Sequence, residues 1–327
     1  MIHAFILHKG EMVMIYVMYL LVAAAVTLLS IKAADYVDWI DKKTSLSGAF
    51  IGGIMLSAVT SLPEVFTSLS STLLLDEPGL CIGNILGSDL FNLLVLSSLV
   101  LVYSRGFSEA KTSAGHQVVL LTVIAGYCAI VLNMLGILNF ELFTVSITSI
   151  LLILCYGISI KFLSGEEGDT SDDADEIPLT LKQILFRFVL VSIGIVVLSI
   201  LISQTTDIIS DRLNLGKGLA GALFMGIATS LPELSSTISL FRKKNYDIAV
   251  GNIVGSNIFN LIILSLSDIL YTGSGIYDFS DPKTINLLVF GFIAMPLALL
   301  SLRLKNRYVK MALSAGVVVC YFAFLLV

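Results

Sequence analysis

The pentapeptide TSLPE occurs twice in the chain, at Thr60–Glu64 and again at Thr229–Glu233. Each copy lies inside a long apolar run, where a proline interrupts a helix and a glutamate is costly to bury. A second motif follows each copy: GNILGSDLFNLL occupies Gly83–Leu94, and GNIVGSNIFNLI occupies Gly251–Ile262. The two motif pairs are offset by 169 and 168 residues, so the chain consists of two related halves.

The composition indicates an integral membrane protein. Of the 327 residues, 57% are hydrophobic and 13% are charged, and the mean hydropathy is +0.96. A soluble domain has about a quarter of its residues charged. Ten apolar runs approach or exceed the roughly 20 residues that a helix needs to cross a bilayer. They are residues 12–31, 46–75, 81–103, 118–136, 141–160, 184–203, 216–241, 248–271, 284–301 and 308–326. The predicted fold class is therefore an all-α polytopic membrane protein with ten transmembrane helices.

Lysine and arginine residues predict the orientation of these spans. With the N-terminus outside, 15 of the 19 basic residues fall in internal loops, and Lys9, Arg212, Lys217 and Lys283 fall outside. Basic loops remain in the cytoplasm, so we expect a multi-pass protein of the plasma membrane with both termini extracellular. The lipid bilayer is the expected partner. No obligate protein partner is evident, and no extended basic groove indicates nucleic acid.

Five spans in each half predict an inverted repeat, because an odd number makes the second half cross in the opposite sense. We assign residues 1–163 to the first five-helix repeat, with its motif region at 57–94. The second repeat comprises residues 181–327, with its motif region at 226–262. Inverted repeats are typical of secondary transporters, whose sites lie near the midplane where interrupted helices meet.

An acidic segment joins the two repeats. Residues 164–180 include the stretch SGEEGDTSDDADEIP at Ser164–Pro178, which has seven acids. This composition is typical of a solvated linker, and the predicted orientation makes the linker cytoplasmic. Weak calcium sensing is the alternative for this segment.

Proline and glutamate together indicate a site in the membrane. Pro63 and Pro232 predict breaks in the second and seventh spans, and irregular backbone survives in a bilayer only where it faces protein or a wet cavity. Glu64 and Glu233 each cost at least ~2.5 kcal/mol to insert. Small and hydroxyl residues can simply let helices pack closely, and this alternative suits Ser68. It does not explain a glutamate placed alike in both halves.

In the sequence, each of the two glutamates is accompanied by residues with side-chain oxygens. Each repeat has a threonine one turn before its glutamate, on the same helix face, and a serine four residues before an asparagine in the second motif. These residues are Thr60, Ser88 and Asn92 in the first repeat and Thr229, Ser256 and Asn260 in the second. The three histidines lie outside the spans. Oxygen-only ligands suit hard cations such as Ca²⁺, which takes 6–8 of them.

Glycines recur in the second motif as well. They are Gly83 and Gly87 in the first repeat and Gly251 and Gly255 in the second. Glycine allows transmembrane helices to approach each other closely, so we expect all four to lie at helix contacts.

The repeats resemble the α-repeats of the calcium/cation antiporter superfamily, and most closely those of the sodium/calcium exchangers. The resemblance rests on two TSLPE copies, each followed by GNIxGSxxFN, and extends over nearly the whole chain. It implies four cation positions between helices two, three, seven and eight, occupied alternately by Na⁺ and Ca²⁺. It also implies that the first and sixth helices slide across a static core of eight. No cofactor and no enzymatic activity are expected, only transported ions.

The same resemblance implies roles for individual residues. Glu64 and Glu233 would bind Ca²⁺ centrally together with Thr60 and Thr229, and all four would also contact Na⁺. The further Na⁺ ligands would be Ser61, Ser88, Ser230 and Ser256, with backbone carbonyls near Ser57 and Gly226. Asn92 and Asn260 would line the centre of the site.

Two positions depart from the family pattern. Asn260 stands where many exchangers have aspartate, which leaves two carboxylates and argues against potassium co-transport. Asp89 stands where family members usually have asparagine, about 100° around the helix from Ser88. Either Asp89 reaches the site or it pairs elsewhere in the protein, and we favour the second possibility.

Electrogenic Na⁺/Ca²⁺ antiport that extrudes calcium is the predicted function. A Ca²⁺/H⁺ exchanger of the same superfamily is the nearest alternative, although GNILG and GNIVG lack the acid of the usual GNATE-like motif. A passive cation channel could have a similar lining. An intramembrane hydrolase would need a metal-binding histidine cluster, an aspartyl dyad or a serine with a basic partner within the spans. No histidine or lysine lies where it could activate a serine or threonine.

Overall fold

The computed structural model describes residues 2–164, 177–212, 226–273 and 275–327. The helices are α1 (Ile2–Lys43), α2 (Gly48–Phe50), α3 (Ser57–Thr60), α4 (Leu62–Leu73), α5 (Pro78–Val102), α6 (Ser104–Glu109), α7 (Gly115–Met134), α8 (Ile147–Ser164), α9 (Leu181–Arg212), α10 (Leu231–Arg242), α11 (Tyr246–Leu270), α12 (Pro282–Arg303) and α13 (Arg307–Leu325). A π-helical segment, Ile51–Leu56, joins α2 to α3, and residues 226–229 are also helical. The strands β1 (Glu141–Leu142) and β2 (Val145–Ser146) form a small antiparallel hairpin.

The chain is an integral multi-pass membrane protein. Among the described residues, eight helices are long and apolar enough to cross a membrane, or up to nine if the bent pair 48–60 and 62–73 forms one span. The predicted seventh span, 216–241, begins in residues that lie outside the described part of the chain. Most of the acidic linker, residues 165–176, also lies outside it. The count of ten helices therefore stays a prediction.

Helix α1 extends well beyond the apolar run that predicts it. Residues 32–43 continue the helix with buried Val37 and Ile40 on one face. On the other face Lys32 pairs with Asp35 at 3.5 Å. An amphipathic extension of this kind has low hydropathy although it is helical, so a search for apolar runs misses it. The fifth run differs in the opposite way, since it opens with the β1–β2 hairpin before α8 begins.

Both predicted helix breaks are present. Ser61 separates α3 from α4 with φ −91° and ψ 6°, and the segments on its two sides are bent by 45°. Ser230 precedes α10 with φ −86° and ψ 10°. Pro63 and Pro232 lie in the first turn of the helix that follows, where a missing N–H breaks no helical hydrogen bond. Each TSLPE glutamate therefore lies in the first turn of a new helix.

Helices α5 and α11, which contain the second motif of each repeat, form the centre of the molecule. They pack against each other, and α11 also packs against the segments on both sides of the Ser61 break. Leu86 and Leu90 of α5 and Ile253 and Leu261 of α11 are fully buried. Around this centre α7 packs on α8 and α12 on α13, while α1 packs along α9. The helices of the first and sixth runs thus lie side by side.

Glycines of α11 allow the π-helical segment to approach it closely. A Cβ on Gly255 would collide with the Gly53 carbonyl oxygen, and one on Gly251 would lie 2.9 Å from the Gly53 nitrogen. A Cβ on Gly83 or Gly87 meets nothing within 4 Å among the described residues. The expectation that all four motif glycines lie at close helix contacts is therefore right for the second repeat and wrong for the first.

Contacts between loops sort the ends of the helices into two groups. The Lys243 ammonium lies 2.7 Å from an Asp35 carboxylate oxygen, which places the end of α10 beside the end of α1. At another point the Tyr271 hydroxyl donates to Asp76 at 2.7 Å, which places the loop after α11 beside the loop after α4. Both pairings join loops that the sequence assigns to the same side of the membrane.

Candidate cation site

Each TSLPE glutamate is hydrogen-bonded to a serine of the other TSLPE copy. Ser61 Oγ donates to Glu233 Oε1 at 2.9 Å, and Ser230 Oγ donates to Glu64 Oε1 at 3.1 Å. Both glutamates are only 1% exposed, so neither carboxylate is hydrated as a surface group would be. The reciprocal contacts mean that the two helix breaks face each other in the interior of the protein.

The serines of the second motif join the same cluster. Ser256 Oγ, on α11, lies 3.4 Å from Glu233 Oε1 and donates to it. Ser88 Oγ, on α5, lies 3.3 Å from Ser230 Oγ. A Cβ on Gly226 would lie 3.8 Å from Ser88 Oγ, so this glycine lies beside the cluster too. The structure thus brings these predicted residues of both repeats together.

The hydroxyls of the predicted threonines contact carbonyl oxygens of their own helices. Thr60 Oγ1 lies 3.2 Å from the Leu56 carbonyl oxygen, and Thr229 Oγ1 donates to the Gly226 carbonyl at 3.1 Å. Ser57 likewise donates to the carbonyl one turn before it, at 2.8 Å. All three hydroxyls are buried. Because a hydroxyl that donates its proton keeps its lone pairs, these oxygens remain able to bind a cation.

Asparagines line the region between α5 and α11. Asn92 Nδ2 donates to Asn257 Oδ1, and Asn260 Nδ2 donates to Asp89 Oδ1, both at 2.9 Å. The Tyr127 hydroxyl donates to the other carboxyl oxygen of Asp89 at 3.0 Å. From the sequence we favour a pairing of Asp89 elsewhere in the protein. Asp89 is paired, but one of its two partners is the predicted site-lining residue Asn260, so the pairing lies beside the candidate site.

Four buried oxygens here have no hydrogen-bond partner among the described residues. They are Glu64 Oε2, Glu233 Oε2, Asn92 Oδ1 and Asn260 Oδ1. An unmet buried acceptor costs about 1–3 kcal/mol, and a bound ion or water is a usual reason for one in a native structure. Two carboxylate and two amide oxygens are ligands that a hard cation prefers. In each repeat, these oxygens come from the glutamate of TSLPE and the last asparagine of GNIxGSxxFN.

Metal-binding groups of other kinds do not accompany these oxygens in the part of the chain that the structure describes. Within it, no cluster of three or more His, Cys, Asp or Glu side chains could hold a metal ion. His116 Nε2 lies 2.9 Å from Asp247 Oδ1, near the start of α11. Asp247 precedes Ser256 by nine residues, or about 13 Å of helix. His116 lies in the first turn of α7, a candidate membrane span, so the expectation that all three histidines lie outside the spans is wrong for this residue. Its contact with Asp247 keeps it away from the two glutamates.

Two asparagines that the sequence analysis did not single out brace the site from behind. Asn84 Nδ2 donates to Ser68 Oγ at 3.2 Å, and Asn252 Nδ2 donates to Ser236 Oγ at 3.1 Å. Each contact ties the second-motif helix to the helix after the break in the same repeat. Thr60 Oγ1 also lies 3.3 Å from Asn252 Oδ1. The signal was available, because the asparagine of GNI recurs at the same place in both halves.

Comparison with known proteins gives one family for both halves. The family described as "Sodium/calcium exchanger protein" matches residues 11–165 and 184–327. Inner membrane protein YrbG of Escherichia coli (strain K12) is 28% identical over 223 residues, which cover 65% of this chain and 66% of that protein. Sodium/calcium exchanger MaX1 of Methanosarcina acetivorans is 24% identical over 300 residues, which cover 79% and 84%.

The fold is similar to that of a solved structure as well. A structure of the sodium-calcium exchanger NCX_Mj matches 95% of this chain and 97% of its own, with a TM-score of 0.73 and 19% sequence identity. At this identity the likeness concerns the fold. The family match, in contrast, includes both TSLPE copies and both second motifs. The chain therefore belongs to the sodium/calcium exchanger protein family, within the calcium/cation antiporter superfamily that its repeats resemble.

Proposed function

We propose that this protein is an antiporter that exchanges Na⁺ for Ca²⁺ across the plasma membrane. The observation that carries the proposal is the reciprocal pair of hydrogen bonds Ser61–Glu233 and Ser230–Glu64. These bonds make one buried site from both halves and leave one oxygen of each glutamate without a partner among the described residues. The names of MaX1 and NCX_Mj, both sodium/calcium exchangers, support the choice of ions.

Charge explains why the two ions would be exchanged rather than conducted. With Glu64 and Glu233 ionised, one Ca²⁺ neutralises the pair, and three Na⁺ leave one net positive charge. An empty site would leave two buried charges uncompensated, which is strongly unfavourable in a membrane interior. The protein would therefore cross between its two states only when loaded. Three-for-one exchange would move one net positive charge in each cycle and would therefore be electrogenic. Inward sodium flow would drive calcium extrusion.

Helices α1 and α9 are suited to switch the access to this site. They pack along each other, and each packs on the broken helix of the opposite repeat. Helix α1 contacts α10, which begins after the Ser230 break, and α9 contacts α3 and α4, which flank the Ser61 break. Sliding of this pair would expose the site to either side in turn, as expected of a transporter made of inverted repeats.

The ten-helix inverted topology, with repeats at 1–163 and 181–327, is part of the proposal. Both termini would be extracellular and the acidic linker 164–180 cytoplasmic, because that choice puts most lysines and arginines inside. The contact between Lys43 Nζ and the Ile177 carbonyl, at 3.1 Å, supports one part of this topology, because it places the end of the linker on the same side of the membrane as the end of α1.

Uptake of ⁴⁵Ca²⁺ into proteoliposomes of the purified protein tests the proposal. The vesicles are loaded with Na⁺, K⁺ or choline, or prepared with an imposed pH gradient, and vesicles without protein measure the leak. We expect uptake only with an outward Na⁺ gradient, and faster uptake when a K⁺–valinomycin potential makes the interior positive. Uptake driven by the pH gradient would establish Ca²⁺/H⁺ exchange instead, and uptake indifferent to every gradient would establish a channel.

A further inference from the structure

We propose that Asp89 is a positioning residue that turns the central asparagine amides so that their oxygens face the transported cation. The inference rests on the proposed function of the site. It assigns Asp89 neither to the ligands nor to the general packing of the helices. Instead, Asp89 would act through Asn260 directly and through Asn92 indirectly.

The repeat makes the arrangement visible. Asp89 and Asn257 occupy the same place in the two copies of the second motif, and so do Asn92 and Asn260. Asn92 of the first repeat donates to Asn257 of the second, and Asn260 of the second repeat donates to Asp89 of the first, both at 2.9 Å. All four side chains are almost completely buried. Each half of the protein therefore orients the amide of the other half.

The hydrogen bonds fix which way the side-chain amides of Asn260 and Asn92 point. An asparagine has a donor end and an acceptor end, and Asn260 presents its donor end to Asp89 Oδ1. Asn257 donates its own Nδ2 to the backbone carbonyl of Asp89 at 3.3 Å, so its oxygen is the end that accepts from Asn92. Residue 89 thus orients one amide with its side chain and the other through its carbonyl group. The Oδ1 atoms of Asn260 and Asn92 are left without a partner among the described residues.

The second oxygen of Asp89 is also engaged. It accepts from the hydroxyl of Tyr127 on α7, which is fully buried. A Cβ on Gly291 would lie 2.8 Å from the Tyr127 ring, so α12 closes over the ring and holds it in place. Asp89 therefore has a protein donor on each oxygen, whereas Glu64 and Glu233 each keep one oxygen without a protein donor among the described residues. This difference separates a positioning carboxyl from the two proposed ligands.

Two substitutions separate positioning from charge. Asp89→Asn keeps an acceptor for Asn260 and removes the carboxylate, while Asp89→Leu has a similar shape and no acceptor. Asp268→Asn is the matched control, because Asp268 is a buried carboxylate near the far end of α11 that accepts from the Ser146 N–H. The readouts are the KM for Ca²⁺ and the turnover at saturating Ca²⁺ in gradient-driven uptake.

We expect Asp89→Asn and Asp268→Asn to keep the KM for Ca²⁺ within about threefold of the parent. Asp89→Leu should raise the KM about tenfold or more, with a smaller fall in turnover, because a free Asn260 can turn its NH₂ group toward the cation. If Asp89→Leu does not accumulate in folded form, Asp89→Ala takes its place. Rescue by asparagine but not by an apolar residue is the result that supports positioning.

Two outcomes would overturn the inference. A KM raised equally by Asp89→Asn and Asp89→Leu would mean that the charge itself serves the cation. An unchanged KM in Asp89→Leu would mean that Asn260 needs no orienting partner. Failure of the proposed function is a separate result, since it appears as parent uptake that needs no sodium gradient. The KM comparison then applies to whichever gradient drives uptake.

Discussion

Glu64 and Glu233 each have one oxygen held by the protein and one oxygen without a hydrogen-bond partner among the described residues. The held oxygen, Oε1, accepts from a serine hydroxyl of the other TSLPE copy. A carboxylate fixed in this way loses little side-chain entropy when it binds an ion, because its orientation is already set. The same arrangement appears in both copies, so the site is organised in advance by residues far apart in the chain.

The serine contacts lead to a prediction at the scale of single residues. Ser61→Ala and Ser230→Ala should each raise the KM for Ca²⁺ about tenfold or more, since a hydrogen bond to a charged group contributes about 1.5–3 kcal/mol. The two effects should be of similar size, because the repeat relates the two contacts. Ser71→Ala is the control: Ser71 donates to the Ser68 carbonyl of its own helix at 3.0 Å, and its loss should leave the KM unchanged. A large effect of one serine alone, measured by ⁴⁵Ca²⁺ uptake, would contradict a site shared by both halves.

The sequence predicts the residue types of the candidate site better than it predicts their partners. Glu64 and Glu233 stand out because a buried carboxylate is costly and this one occurs twice. The partners of Asp89 could not be found in this way. One of them, Asn260, lies 171 residues away, and the other, Tyr127, belongs to the fourth run, which contains neither motif. Such contacts depend on how each helix is rotated in the bundle, and a local pattern does not contain that information.

At the scale of elements, glycines allow the broken second span to pack closely against α11. Gly53 of the π-helical segment faces Gly251 and Gly255 of α11, and an added Cβ on either of the latter would meet its backbone. This close contact keeps the segment before the break in register with the helix that contains Ser256. The chain thus uses glycine to position an irregular segment beside the site, which is how small residues commonly act in membrane proteins.

A pair of glycine substitutions tests this contact. Gly255→Ala should lower the thermal midpoint of the purified protein in detergent, because overpacking of a close contact costs about 1–3 kcal/mol. Gly87→Ala is the matched control, since Gly87 holds the same position in the first repeat and an added Cβ there meets nothing within 4 Å among the described residues. Its midpoint should stay the same or rise slightly, given that alanine favours helix by about 1 kcal/mol over glycine. Equal midpoints for the two variants would contradict the contact.

The elements divide clearly into those that the sequence predicts and those that it does not. Runs of about 20 apolar residues and a proline within a run give the spans and the breaks, because the bilayer imposes a length and proline lacks an N–H. The amphipathic end of α1 is missed because its charged face lowers its hydropathy. The π-helical segment Ile51–Leu56 is missed because it depends on the packing of Gly53 against α11 rather than on a local signal.

At the scale of the whole molecule, the two halves are related by contacts that run in both directions. The serine–glutamate bonds join the breaks, and the asparagine contacts join α5 to α11. The sequence predicts this organisation in outline, because motifs repeated at a constant offset require two similar units. The orientation in the membrane, in contrast, is predicted from the distribution of basic residues alone.

Equilibrium binding of Ca²⁺ to the purified protein tests the central claim most directly, namely that Glu64 and Glu233 form one cation site that Na⁺ and Ca²⁺ share. The measurement is titration calorimetry of the parent, of Glu64→Gln and of Glu233→Gln, each with and without Na⁺, and Asp268→Asn is the control. We expect one Ca²⁺ per chain, displacement by Na⁺ with a Hill coefficient above one, and binding at least about a hundredfold weaker in either glutamine variant, because each variant removes one of the two charges that neutralise the ion. Parent-like Ca²⁺ binding in either variant, or binding that Na⁺ does not displace, would contradict the shared site.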